Sequence, residues 1–73
     1  MKVYIVEVGM YYEGYNHIFV FKDLEKAKKY AFQEAKEHVK KERNYKVEEK
    51  KYGNILSINN DLYYIDVFEK EMI

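Results

Sequence analysis

Few side chains in this sequence carry the chemistry of a catalyst. His17 and His38 are its two histidines and Ser57 its one serine, and cysteine is absent. Disulfides, thiolate zinc sites and thiol nucleophiles are therefore excluded. A histidine base needs a partner that orients it and a cleft that holds the substrate. Glu7 or Asp66 would lie near His17 if the outer strands pair. The simpler reading puts His17 at a hairpin end and His38 on a helix edge. Ser57 lacks the Gly-x-Ser-x-Gly setting of an activated serine. Gly9, Gly14 and Gly53 lie too far apart to form a phosphate-binding loop. His17 with nearby carboxylates lacks metal-ligand spacing. The expectation is a non-enzyme with no catalytic residue, cofactor or metal.

Tyrosine is the more informative residue type, with nine in 73 residues. Tyr11, Tyr12 and Tyr15 crowd into the segment MYYEGYN, where no core residue is expected. Tyr brings large contact area with a polar tip and is enriched in protein interfaces. With Tyr4 and Tyr64 on strands, these five are the candidate partner-binding residues. The competing reading has the loop rings lapping over the helix end or the open sheet edge. Nucleic-acid binding is the alternative function. Tyr4, Tyr63 and Tyr64 near Lys2 would stack on bases. Against it, the chain has one arginine and no net charge. Glu7, Asp66 and Glu69 on the strands would also repel phosphates.

The elements that position these residues follow from hydrophobic period. Asp23 to Arg43 is the one long segment with helical spacing. Leu24, Ala27, Ala31, Ala35 and His38 share a side, flanked by Phe32 and Val39 on one edge and Tyr30 on the other. Asp23 is the expected N-cap, with Glu25 beside it at the positive end of the dipole. Lys40, Lys41 and Arg43 suit the negative end, and Asn44 is the expected stop. The alanine stripe lets the helix lie close to a sheet.

Lys2–Gly9 reads as a strand with Tyr4, Val6 and Val8 on one face and Val3, Ile5 and Glu7 on the other. Met10–Asn16 is the expected turn, and His17–Phe21 the returning strand. Tyr45–Tyr52 is a charged strand suited to an edge. Gly53-Asn54 signals a hairpin, Ile55–Ile58 returns, and Asn59-Asn60-Asp61 turns again. Leu62–Glu69 closes the chain, with Tyr63, Ile65 and Val67 on one face and Leu62, Tyr64, Asp66 and Phe68 on the other. The order is β-β-α-β-β-β. The expected fold is α+β and two-layer: a mostly antiparallel sheet with one helix, about 23–43, on one face. Connection rules favour a return beside the first strand, and the equally apolar last strand is the best candidate neighbour.

The length predicts a single domain, 1–73, with a thin core. Charge is unevenly spread. Residues 22–51 hold eleven Lys/Arg against seven Asp/Glu, so +4; the flanks hold two against six, so −4. No segment reaches the roughly 20 apolar residues of a membrane span. The apolar run Val3–Val8 is too short for a signal peptide and contains Glu7. A cytoplasmic protein with no membrane partner is expected.

KVYIVEV, the aromatic loop MYYEGYNHI, the helix start VFKDLEKAKKYA and the closing YYIDVFE together resemble a family of small β-β-α-β domains of unknown function from phages, prophages and mobile elements. Its Phe-x-Ser/Asp-x-Glu-x-Ala pattern matches Phe21, Asp23, Glu25 and Ala27. The likeness covers residues 2–38 and 62–71, and the hairpin at Gly53-Asn54 departs from it. The family has no established activity to carry over. By its size and origin the resemblance implies a protein-interaction module, including inhibition of a host protein such as a CRISPR or other defence component. One helix covers one sheet face only, so a homodimer through the open face is also expected.

Overall fold

Asp23 caps the helix as its position suggests. Its Oδ1 accepts the Glu25 backbone N–H at 2.9 Å, and its carbonyl accepts from Ala27. The structure is a computed structural model that describes residues 1–11, 14–38, 46–51, 53–60 and 62–71. Helix α1 covers Leu24–His38. The rest of the expected helix, 39–43, lies outside the described residues, as does the expected stop at Asn44.

The strands are β1 (Lys2–Met10), β2 (Tyr15–Phe21), β3 (Lys46–Lys51), β4 (Asn54–Asn59) and β5 (Tyr63–Glu71). They form an antiparallel sheet in the order β2-β1-β5-β4-β3. The fold is the expected two-layer α+β arrangement. The last strand pairs with the first, Val6 facing Val67 and Val8 facing Ile65. The strand that directly follows the helix does not return beside β1. It crosses to the far edge, where Lys46, Glu49 and Lys50 are exposed to water.

The first hairpin is tighter than expected: pairing runs out to Met10 and Tyr15, so Tyr15 and Asn16 belong to β2. Gly14 and Gly53 take φ of 63° and 82° at the two hairpin turns, where a side chain would be strained. The third turn is built by Asn60, whose Oδ1 accepts from the backbones of Leu62 and Tyr63, both at 2.8 Å.

Ala27, Ala31 and Ala35 are buried against Val6, Val8, Leu56, Ile58, Ile65 and Val67. The short alanines bring the helix axis close, and the strands supply the volume. Tyr4, Phe19, Phe21, Tyr30 and Tyr63 ring this core. Tyr30 packs between Phe19 and Phe21, at 4.8 and 5.5 Å between ring centroids. Burial and a hydrogen bond to Glu34 push its phenol up to about 12. Among the described residues no helix is long and apolar enough to cross a membrane.

Candidate functional site

Among the described residues no helix lies on the second face of the sheet, and strand register decides what stands there. Two complete rows cross all five strands. In the first, Ile18, Glu7, Asp66, Ser57 and Glu48 stand opposite one another from β2 to β3. In the second, the order is Asn16, Gly9, Tyr64, Asn59 and Lys46. The face is apolar toward the start of β1, where Val3 and Ile5 are buried, and along β2, where Ile18 and Val20 are exposed. Ile5 sits between Val20 and Phe68. The rest is polar and acidic.

Hydrogen bonds tie the two rows together. Asn16 Nδ2 and the Tyr64 hydroxyl both donate to Glu7 Oε2, at 3.2 and 3.3 Å. The Ser57 hydroxyl donates to Asp66 Oδ1 at 2.7 Å. Asn59 Nδ2 reaches Glu48 Oε1 and Ser57 Oγ, both at 3.2 Å. Ser57 is short and buried, so it floors a shallow depression of about 490 Å³ walled by Tyr11, Tyr64, Glu7, Asp66 and Glu48.

Tyr11 reaches this depression because β1 pairing continues one residue past Met10. Its backbone N–H donates to the Leu62 carbonyl at 2.9 Å. Its ring tilts against Tyr64 at 5.2 Å between centroids, yet the residue stays 53 % exposed. Partial burial, with Asp66 and Glu48 nearby, holds its phenol above the ordinary value. Burial and Glu7 do the same for Tyr64.

Asp66 is a partly buried carboxylate of the row. Burial raises its carboxyl, the Ser57 hydroxyl partly offsets this, and Glu7 raises it further. A raised folded value means the residue favours folding in acid. That contribution fades as pH climbs through the raised value. Asp66→Asn keeps an acceptor for Ser57 and removes the charge. Its partial exposure limits the gain to no more than about 1 kcal/mol, or a Tm rise of at most about 4–8 °C at neutral pH. The gap should close toward about pH 4. Thermal melts of both proteins across this range test it; a variant that melts lower at neutral pH would show that the charge stabilises the row.

The five tyrosines proposed for partner binding do not assemble as one group. Tyr11 and Tyr64 touch on the open face. Tyr4 stands on the helix side, the face it shares with Val6 and Val8, and packs on the core. Tyr12 lies outside the described residues, and of Tyr15 only the backbone, opposite Met10, is described. His17 faces Val8 on the helix side, so the sheet separates it from Glu7 and Asp66. It lines a cavity of about 170 Å³ with Phe19, Tyr63 and Glu34. Glu69 also stands on the helix side, 3.7 Å from Lys2. Among the described residues no group of three or more His, Asp or Glu is arranged to hold a metal ion.

The sequence reading missed the polar row. Its signal was a lone carboxylate on the helix-free face of each of the two most apolar strands, Glu7 and Asp66. Ser57 and Glu48 join them only through the β3–β4–β5 register. Comparison with protein-family models, with curated proteins and with solved structures finds no match for this chain.

Proposed function

We propose that this chain is a non-enzymatic protein-interaction module that binds through the Tyr11 end of its open sheet face. The observation that carries this is the placement of Tyr11 and Tyr64 beside the Glu7–Asp66–Ser57–Glu48 row on a face that, among the described residues, no helix covers. The partner is a protein segment that brings basic side chains flanked by apolar ones. Three carboxylates favour a guanidinium or ammonium, and the two rings supply anchor area at low entropic cost. A small protein with such a face blocks a partner's surface sterically, the mode expected of a phage or mobile-element inhibitor of a host protein. The same carboxylates disfavour a phosphate backbone, which ranks the protein reading ahead of nucleic acid.

The test is selection of a random peptide library on the immobilised full chain. Enriched peptides should pair Arg or Lys with aromatic or aliphatic residues, and binding should weaken as salt rises. Tyr11→Ala should weaken the best peptide by about 30-fold or more, as loss of an interface anchor does. Its stability should fall by only about 1 kcal/mol, the scale of one aromatic pair. Acidic or random enrichment, or binding indifferent to Tyr11→Ala, would overturn the proposal.

A further inference from the structure

The two edges of this sheet are treated differently. At one edge β3 is KVEEKK, and Lys50 takes a left-handed φ of 56° that disturbs a regular strand. That edge is guarded against pairing. At the other edge β2 is YNHIFVF, seven residues with no Lys, Arg, Asp, Glu, Pro or Gly. Its inner side pairs with β1 from Tyr15 to Phe21, and among the described residues no strand pairs with its outer side. Alternate residues of such a strand direct their N–H and C=O groups outward. Ile18 and Val20 are each 60 % exposed on the open face. Helix α1 packs mainly over β1 and β5, in the middle of the sheet, and leaves the edge accessible.

We propose that β2 is a dimerisation edge, and that a second copy of this chain pairs with it antiparallel about a two-fold axis at Phe19. In that register Ile18 of each copy faces Val20 of the other, and His17 faces Phe21. Ile18 meets Val20 on the open face and His17 meets Phe21 on the helix face, and the charge brought nearest is Lys22, which stands opposite Asn16 just past the strand end. The axis is normal to the sheet, so both helices stay on one side and both open faces on the other. Symmetry gives the second copy its advantage over a foreign strand. Isologous pairing consumes both unguarded edges and leaves only the two β3 edges outside, so the assembly closes at two. A face-to-face dimer would instead set Glu7, Asp66 and Glu48 of one copy against those of the other. This inference does not depend on the peptide-binding proposal, although it would present two such sites on one side.

Sedimentation equilibrium of the full chain at micromolar to high micromolar concentration tests the proposal. A dimer is expected. Ile18→Lys and Val20→Lys should each weaken it at least about tenfold, because every substitution occurs twice in a two-fold seam. Both residues face solvent, so far-UV circular dichroism should show an intact fold. Mixing Ile18→Lys with Val20→Glu chains should restore a mixed dimer, since position 18 of one copy faces position 20 of the other. Amide exchange of the unmodified chain gives a readout free of variants: protection along β2 should rise with concentration. A chain monomeric at high micromolar concentration would overturn the proposal. So would a dimer that survives both lysine substitutions.

Discussion

Ile65→Ala is expected to remove about 2–5 kcal/mol of stability. Ile65 is fully buried, between Val8 on β1 and Ile58 on β4, beneath the alanine stripe of α1. The cost of such a truncation depends on how far neighbours collapse into the space. Here the neighbours from the helix are Ala27, Ala31 and Ala35, which have no reach, and the strands are held in register on both sides. The cavity should therefore persist. At roughly 0.05–0.15 kcal/mol per residue, a domain of this size has about 4–11 kcal/mol in total. One methylene-rich side chain thus carries a large share. Urea unfolding should show a lowered midpoint with an unchanged slope. Val47→Ala, at an exposed position of β3, should shift the midpoint little. A loss under about 1 kcal/mol for Ile65→Ala would mean that the core repacks and that the alanine stripe does not set the helix height.

The same arrangement explains what could be read in advance. The period of 3.6 from Leu24 to Ala35 marks the buried face of the helix, and the alternation in β1 and β5 marks the face that Val6, Val8, Ile65 and Val67 turn toward it. Both faces came out as expected because burying apolar area dominates every local preference. The Asp23 cap was legible because a single short-range hydrogen bond fixes it. The site was less legible because it is a property of register. Glu7 and Asp66 lie 59 residues apart (66 − 7) and become neighbours only once β5 pairs with β1. Ser57 and Glu48 enter the row through two further registers. Alternation put Tyr4 on the face of Val6 and Val8, and it packs there against the core, so face decides its surroundings more than residue type does. Tyr11 and Tyr64, by contrast, alternate onto the open face and meet there.

Gly9→Ala is expected to disable the proposed binding face while leaving the fold nearly as stable. Gly9 lies in the second cross-strand row, between Asn16 and Tyr64. A Cβ built on it would stand 2.4 Å from the Tyr64 hydroxyl oxygen, 2.5 Å from Cζ and 2.7 Å from Cε1. The tyrosine ring therefore lies across the bare glycine backbone. Gly9 is not among the positive-φ glycines, so alanine meets no backbone strain. The conflict is resolved by the ring, whose outer atoms can swing away. Swinging breaks the Tyr64 hydrogen bond to Glu7 and the contact with Tyr11. The lost aromatic pair costs about 0.5–1.5 kcal/mol, and replacing glycine within a strand returns roughly 0.5–1 kcal/mol. Tm should therefore move little. Peptide affinity should fall at least as far as in Tyr11→Ala, about 30-fold or more, because one methyl group displaces both anchors. A double-mutant cycle isolates the cause. In a Tyr64→Ala background, Gly9→Ala should have no further effect on binding, since nothing remains to be displaced. An undiminished loss there would mean that Gly9 acts through the β1 backbone, and a single variant that binds normally would mean that Tyr64 takes no part in recognition.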